Sequence, residues 1–344
     1  MQEEIISPRL LVFVDGQVYF RCGHSHYSEA LNWPGKPLHD LLNSVGSLYY
    51  TIFSMSEASF RTFSTILMYY MLRKLSYESD ILRAAQGMLR KFSVLSGLHC
   101  FEGLPPPLER SLLFEKSLYF TNPGLNNFGR REGCPSYSWT GWKSPSVYSH
   151  FLEVSDICND KAVDDNSQTN SVLRGWIIWH CKLEDGNLYR ISNTGRLRKS
   201  LLPKPEDSKR NARRKFQGIQ VAASDIEFGI VSDSSYPFLL FWTICINLRL
   251  TRESQAKGFM PGIVNYHAMD RFGKSCGTVK MDTIVPEMAE GKFVLLAATD
   301  DNFWALMLVW EDGVAERRGI VQLSKSVLDR CLPPGPRWKA ITLR

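Results

Sequence analysis

The sequence lacks every short motif that would assign a reaction. It contains no GxSxG, HExxH or GxGxxG pattern, so the nucleophile elbow, the zinc-protease helix and the dinucleotide-binding turn are missing. The seven histidines are scattered and support no Ser–His–Asp arrangement. Acid pairs occur at Asp164-Asp165 and Asp300-Asp301, but neighbours on a strand point to opposite faces, so we interpret both as solvated turns. We therefore expect a protein that is not an enzyme, with no catalytic or cofactor-binding residue.

Paired cysteines are also missing. No CxxC and no spacing typical of a disulfide framework or a zinc knuckle occurs among the eight cysteines, so we interpret them as reduced core thiols of a cytoplasmic protein. An alternative is a metal site in which Cys22, His24 and His26 share one strand face and His99 or Cys100 supplies the fourth ligand. Because the usual spacings of closed metal sites are absent, we predict no metal.

Long apolar runs and an excess of one charge are scarce. The longest apolar run, residues 237–246, is about half of what a membrane span needs. Residues 1–10 carry Glu3 and Glu4 and no apolar stretch, so no signal peptide is expected. The formal charge of +6 is mild for 344 residues and does not indicate nucleic acid. With 44% hydrophobic and 22% charged residues, the composition is typical of a soluble globular protein, and the length predicts two domains.

One stretch is unusually rich in aromatic side chains. Residues 134–142 have the sequence CPSYSWTGW, and we call them the aromatic segment. Their alternation is typical of a strand in which the two indoles, Trp139 and Trp142, fall on opposite faces. Each indole brings a large apolar area and one N–H that needs a partner. We interpret the segment as a buried strand that joins two layers, since aromatic clusters usually pack in the core; the alternative is a peptide or ligand groove.

The N-terminal part predicts a β-hairpin followed by helices. Two β-prone runs flank Asp15-Gly16, which supplies the positive φ angles of a two-residue turn, so residues 10–20 are predicted to form the hairpin. Ser76 or Ser79 is expected to cap the second helix, and Gly97 to end it. Apolar spacing predicts one helix through Phe63, Ile66, Leu67, Tyr70 and Met71, and another through Ile81, Ala84, Ala85, Met88, Leu89 and Phe92.

From residue 172 onward most signals indicate strands. Asp312-Gly313 predicts a second hairpin turn, and Ser324 is expected to cap a short helix over residues 325–331. The order of hairpin, helices and then strands predicts the fold class α+β, with a mostly antiparallel sheet in the C-terminal part. The predicted strands cover residues 173–180, 238–247, 275–281, 293–298, 304–310, 318–323 and 338–343.

Changes in composition along the chain predict the domain boundaries. A polar, acidic linker at residues 151–171 separates residues 1–150 from a β-rich domain at 172–344, which contains a basic insertion at 196–215. Within the insertion, residues 209–215 (KRNARRK) form the one dense basic run. We interpret it as a solvated, disordered insertion; the alternatives are a nuclear-import address and a weak phosphate-binding patch.

A second stretch only superficially resembles a phosphate-binding loop. The sequence Phe272-Gly273-Lys274-Ser275 has the glycine, lysine and serine that end such a loop. Ala268 occupies the position where the loop needs its first glycine, and the preceding stretch does not predict a strand that opens into a helix. No phosphate loop is therefore predicted.

Three motifs, taken in order, resemble parts of the fungal heterokaryon-incompatibility (HET) domain family. Residues 2–9 (QEEIISPR), followed by the predicted hairpin, resemble the QE-x-x-x-S-x-R ending of the domain. Residues 70–87 give the second match, from Tyr70 through the sequence RKLSYESDIL. Residues 130–142 (RREGCPSYSWTGW) are similar to the family's FPSWSWAGW, with Tyr137 in place of a tryptophan. Weaker matches follow at residues 270–277, 315–319 and 338–343.

The resemblance implies a chain that corresponds to the end of a HET domain and the region after it. The family's defining N-terminal region, similar in shape to Toll/interleukin-receptor-like modules, precedes the QE element, so we carry over no active-site residue. The implied role is non-catalytic, in fungal non-self recognition and cell-death signalling through protein contacts, with full-length HET-domain relatives as partners. The implied place is the cytoplasm, or the nucleus through residues 209–215, with no membrane partner and no nucleic acid expected.

Two other interpretations stay open. The chain can be an inert product of a truncated or decayed HET gene, which the genome sequence upstream of Met1 would reveal. It can also be an enzyme whose site assembles from residues distant in sequence.

Overall fold

The fold combines a small hairpin sheet, a few helices and one large sheet. The structure, a computed structural model, describes residues 9–14, 17–22, 26–28, 67, 70, 75–105, 130–142, 174–192, 194–215, 221, 228, 236–253, 264–281, 288–299 and 301–344. The predicted linker at 151–171 and the first predicted helix, except Leu67 and Tyr70, lie outside these residues. In this part of the chain, no helix has both the length and the apolar character needed to cross a bilayer.

The N-terminal hairpin is confirmed. Strand β1 (Arg9–Val14) pairs antiparallel with β2 (Gln17–Cys22), and Val14 lies opposite Gln17, so two residues separate the paired strands as the sequence predicts. A third strand, β3 (His26–Ser28), pairs with β2 and completes a separate sheet.

Helix α1 (Ile81–Ser96) is the second predicted helix. Its apolar residues recur every three or four positions, so Ile81, Ala85, Met88 and Phe92 are buried along one face. Gly97 follows it with a φ of 68°, a left-handed conformation that glycine adopts without strain, so the predicted end is confirmed. The predicted serine cap is wrong, because a 3₁₀ turn at Glu78–Asp80 precedes the helix and the N-cap makes no side-chain hydrogen bond.

The large sheet is mostly antiparallel, as predicted for the C-terminal part. One pair, between the thirteenth and fourteenth strands, is parallel. The eleven strands that the described residues contribute are β4 (Arg174–Gly175), β5 (His180–Lys182), β6 (Leu188–Ile191), β7 (Leu197–Lys199), β8 (Phe238–Arg252), β9 (Val264–Met269), β10 (Ser275–Met281), β11 (Glu290–Ala298), β12 (Asn302–Glu311), β13 (Val314–Ser324) and β14 (Arg337–Leu343).

Six of these strands close into a ring. Strand β8 pairs with β9, β9 with β10, β10 with β13, β13 with β12, β12 with β11, and β11 again with β8. Closure leaves the ring no unpaired edge, although β14 still lies between β8 and β13 along part of their length. Strands β5, β6 and β7 extend outward from β8, so β7 is the last strand on that side.

Alternation along the strands builds two cores. One face contributes Ile244 and Ile246 of β8, together with Phe293 of β11 and residues of the other four ring strands, so this cluster fills the ring. The opposite face contributes Phe241 and Val294, among others, to a second cluster. That second cluster also contains the buried face of α1 and part of the aromatic segment, so it joins the N-terminal half to the outside of the ring.

Two predicted elements are wrong. The predicted strand over residues 173–180 is interrupted: only β4 and the first residue of β5 are paired, and Trp176 and Trp179 lie in irregular chain between them. The prediction of a disordered insertion is also wrong, because residues 196–215 include β7 and an eleven-residue helix, α2 (Pro205–Lys215). The short helix after β13, α3 (Val327–Arg330), is confirmed, but the predicted Ser324 cap is wrong, because the N-cap is Ser326 and its side chain makes no capping hydrogen bond.

Candidate functional site

The aromatic segment is a compact turn rather than the extended strand that its alternation predicts. A 3₁₀ turn at Trp139–Gly141 interrupts it, and the Ser138 hydroxyl accepts a hydrogen bond from the Thr140 N–H at 3.3 Å. Trp139 and Trp142 expose only 1% and 2% of their surface. The expected burial of the indoles is thus confirmed, while the extended conformation is wrong because Ser138 favours the local turn.

The polar atoms of the aromatic rings are paired with main-chain carbonyls. The Trp139 Nε1–H donates to the Gly103 oxygen at 2.9 Å, and the Trp142 Nε1–H donates to the Ser136 oxygen at 2.7 Å. The Tyr137 hydroxyl donates to the Pro237 oxygen at 2.7 Å, at the start of β8. Burial raises the pKa of Tyr137 well above its ordinary value, so the hydroxyl stays protonated and acts as a donor.

Ser136 connects the segment to the far end of the chain. Its N–H donates to the Arg344 oxygen at 2.9 Å, and its hydroxyl donates to the same oxygen. The hydroxyl also accepts the Arg317 N–H at 3.1 Å. These bonds attach the aromatic segment to Arg344, the residue that follows β14, and to β13 beside its bulge, where Met307 and Leu308 lie opposite Gly319 and Arg317. The bonds from Ser136 supply partners to backbone groups at these two places.

Two arginines that precede the segment hold it from the other side. The Arg130 guanidinium donates to the oxygens of Arg131 at 2.6 Å and Gly141 at 3.0 Å, and also to Cys134. Arg131 donates to the Trp142 oxygen. Because a guanidinium offers five donors in one plane, it can satisfy several carbonyls of a tight turn at once.

Charged side chains converge where the segment meets β13, and we call Arg130, Glu316, Arg317, Arg318 and Arg344 the arginine–glutamate cluster. The Glu316 carboxylate lies 3.7 Å from Arg130, 3.2 Å from Arg318 and 2.9 Å from Arg344. The guanidinium carbons of Arg130 and Arg317 each lie 5.5 Å from the centre of the Trp142 ring. The Glu316 carboxylate and the Trp142 ring together thus lie close to four guanidinium groups, those of Arg130, Arg317, Arg318 and Arg344.

Burial shapes the electrostatics of this cluster. Arg317 has no exposed surface, and its burial, reinforced by Arg130, lowers its pKa to about 9. Burial also lowers the pKa of Arg130, although Glu316 partly offsets the effect. In Arg344 the hydrogen bonds to Glu316 and Glu311 outweigh burial and raise the pKa. All of these guanidinium groups are cationic near neutral pH, so Glu316 is the anion that limits their mutual repulsion.

The alternative metal site is not assembled as the sequence would require. Cys22 ends β2 and His26 begins β3, and the register places Arg21 opposite His26, so the chain reverses between them instead of running on as one strand face. His24 lies outside the described residues. Among the residues that the structure does describe, no group of three His, Cys, Asp or Glu side chains could hold a metal ion.

The described thiols are poor nucleophiles. Burial raises the pKa of Cys100 and of Cys181 to about 12, and that of Cys245 to about 11. A thiol becomes a strong nucleophile as its thiolate, so these three groups are unreactive near neutral pH. The prediction of reduced core thiols is confirmed for six cysteines that the structure describes, which are free and mostly buried.

The stretch that resembles a phosphate loop is a hairpin turn. Residues 270–274 connect β9 to β10, and Gly273 takes a φ of 75°. The buried Asp270 carboxylate accepts the N–H groups of Phe272 at 2.9 Å and Lys274 at 2.8 Å and pairs with Arg330. The expectation of no phosphate loop is thus confirmed, since the main-chain donors already bind this carboxylate.

The sequence singled out the aromatic segment but missed what surrounds it. Glu316 and Arg317 lie on β13 and Arg344 follows β14, far from the segment in sequence, and no spacing rule connects them to residue 142. The one signal for these residues in the sequence was the weak resemblance of Ala315-Glu316-Arg317-Arg318-Gly319 to the HET domain family. Comparison with protein-family models, with curated proteins and with solved structures finds no match. The resemblance to the HET domain therefore stays a prediction from the sequence.

Proposed function

We propose that the protein is a non-catalytic, HET-like protein of the fungal cytoplasm that acts through protein contacts in non-self recognition and cell-death signalling. The observation that carries the proposal is the state of the HET-like motif at residues 130–142. Its aromatic rings are buried, and the polar atoms of Tyr137, Trp139 and Trp142 bond to main-chain oxygens of the same chain. A segment used in this way is a structural joint, so its chemistry supports a scaffold better than a ligand groove or a reaction centre.

This structural joint supports a role in protein contacts because it connects the N-terminal half of the chain to the large sheet. The aromatic segment touches the loop around Gly103 on one side and β13 with Arg344 on the other. A partner that binds the N-terminal half would therefore change the free energy of contacts that also involve the strand ring. Buried ionic groups such as Arg317 are one known means of fixing a unique arrangement, at a cost in desolvation.

The test is expression of the chain in a filamentous fungal host, alone and together with a full-length HET-domain protein. We expect normal growth with the chain alone, co-precipitation with the full-length protein, and a changed cell-death response in the co-expressing strain. The Glu316→Gln variant, which removes the anion of the cluster, should weaken co-precipitation. The exposed-site variant Glu132→Gln is the matched control.

Two results would contradict the proposal. Growth arrest by the chain alone would show that it contains an effector of its own. Turnover of NAD by the purified protein would show that it is an enzyme, as the interpretation of a site assembled from distant residues predicts.

A further inference from the structure

The positive charge of the protein is concentrated in one segment. Residues 196–215, which we call the basic surface, contain nine Lys and Arg against two acids, a net charge of +7. The whole chain has +6, so the other 324 residues are close to neutral, at −1. A charge that is confined to 20 residues produces a strong local electrostatic field, although the net charge of the whole chain is small.

The basic surface is ordered and anchored to the large sheet. Strand β7 pairs with β6, and the Pro203 oxygen accepts the Trp242 Nε1–H at 2.9 Å. On α2, Ser208 and Ala212 are buried at 2% and 6% exposure, four positions apart and therefore on one face. Fixed positions mean that little conformational entropy would be lost when a partner binds these cations.

Several cations of this surface are exposed to solvent. Arg198, Lys199, Lys204, Arg210 and Arg213 are exposed. None of them forms an ion pair with an acid among the described residues. The two acids of the segment lie in the first turn of α2, where the positive end of the helix dipole favours them. The basic charge therefore remains available to an external anion.

Exposed leucines lie between the cations of β7 and those of α2. Leu201 exposes 82% of its surface and the adjacent Leu202 exposes 56%. Removal of a leucine side chain from water is favourable. The basic surface thus offers an apolar contact and an electrostatic contact side by side.

We propose that the basic surface binds the anionic leaflet of a membrane, with the cations on lipid phosphate and carboxylate groups and the two leucines in the interface. The combination of leucines with cations favours a membrane over nucleic acid, because phosphate contacts need no leucine and residues 196–215 contain no aromatic side chain for base stacking. This binding departs from the sequence-based expectation of no membrane partner, and it is independent of the proposed function.

The test is flotation of the purified full chain with vesicles of phosphatidylcholine alone or with about 30% phosphatidylserine, a composition at which polybasic attraction is strong. We expect binding to the anionic vesicles only. Loss of about 1 kcal/mol per cation predicts that Arg210→Gln with Arg213→Gln weakens binding about 25-fold. Leu201→Ser with Leu202→Ser should weaken it by about tenfold or more.

Matched controls lie on α1. Arg83→Gln with Arg90→Gln removes two exposed cations, and Val94→Ser removes an exposed apolar side chain, so neither should change vesicle binding. Equal binding to neutral and anionic vesicles, or none to either, would overturn the proposal. Binding to duplex DNA or RNA that the leucine variant leaves unchanged, without vesicle binding, would assign the surface to nucleic acid instead. Circular dichroism of each variant confirms that it is folded.

Discussion

At the scale of single residues, Gly141 shows how closely the aromatic segment is packed. A Cβ atom at this position would lie 2.2 Å from the Pro135 oxygen and 2.7 Å from the Arg130 Nη1. The first of these is a main-chain atom that cannot move without opening the turn. Gly133 offers a contrast in the same segment, since its Cβ would meet no atom within 4 Å although its φ is 74°.

We predict that Gly141→Ala destabilises the protein by about 3 kcal/mol or more, because overpacking against backbone cannot be relieved by a rotamer change. Gly133→Ala should cost about 1–2 kcal/mol, the strain of an alanine at positive φ. Chemical denaturation of both variants measures the difference. Equal losses would show that the turn opens readily, and would contradict its role as a rigid joint.

Glu316 is the second residue whose removal is informative. Its carboxylate contacts Arg130, Arg318 and Arg344 and is 10% exposed, so Glu316→Gln removes the anion that these three guanidinium groups share and leaves Arg344 with Glu311. We predict a loss of about 2–4 kcal/mol, mostly from uncompensated cationic charge. Hydrogen exchange should rise in residues 130–142 if the cluster holds the segment in place.

The control is Glu311→Gln. Glu311 is 69% exposed, and among the described residues its ion pair is with Arg344 at 2.8 Å, so its loss should cost less than about 1 kcal/mol. A comparable effect of the two substitutions would mean that the arginine–glutamate cluster contributes no more than an ordinary surface ion pair.

At the scale of elements, the β9–β10 hairpin depends on one buried acid. Burial acts to raise the pKa of Asp270, but hydrogen bonds from the Lys274 and Phe272 N–H groups and the charge of Arg330 outweigh it, so the pKa lies below its ordinary value of 3.8. A lowered pKa in the folded state means that the unfolded state binds the proton more tightly. The ionised carboxylate therefore stabilises the fold above about pH 4, and that contribution is lost as the pH falls through the folded pKa.

We predict that Asp270→Asn keeps the turn but destabilises the protein by about 2 kcal/mol at pH 7. The amide oxygen can still accept the two N–H groups, while the charge that attracts Arg330 is gone. Denaturation from pH 7 to pH 3 should show the gap to the parent protein constant above pH 5 and smaller below pH 4. A gap that does not depend on pH would exclude the carboxylate charge as its cause.

Some of the secondary-structure elements could be predicted from the sequence, and others could not. Strand β10 matches its predicted bounds, strands β1 and β2 pair on either side of Asp15-Gly16, and the turn at residues 312–313 forms where Asp-Gly predicts it, because these features depend on local conformational preference. Strands β6, β7 and β9 were missed, since short strands are stabilised by the neighbours with which they pair. Helix α2 was missed because it has no apolar stripe: among its described side chains, Ser208 and Ala212 are the two that are buried.

The candidate site was predictable only in part. The burial of the aromatic segment follows from its composition, because large apolar rings are rarely left in water. Its conformation does not follow, since Ser138, Gly103 and Arg130 select the turn through contacts that sequence spacing does not contain. The gathering of Glu316, Arg317 and Arg344 depends on the parallel pairing of β13 with β14, in which Ala315 lies opposite Leu343, and no local pattern encodes that pairing.

At the scale of the whole molecule, the two halves share a core. One cluster combines Phe92 of α1 and Trp139 with Phe241, Leu306 and Ile341 of the large sheet. The other cluster lies within the ring and draws on residues of the C-terminal half. The outer face of β8, β11 and β12 is therefore covered by residues from before position 143.

This arrangement predicts how fragments behave. Residues 172–344, expressed alone, retain every strand of the ring but expose the apolar side chains that α1 and the aromatic segment cover, a large patch of a kind that promotes association. We expect this fragment to aggregate or to bind a hydrophobic dye. Co-expression with residues 1–150 should restore a soluble complex, and Trp139→Ala in the shorter fragment should weaken it. A monomeric 172–344 fragment that unfolds cooperatively with the stability of the full chain would show that the C-terminal half folds independently and that the shared core contributes little.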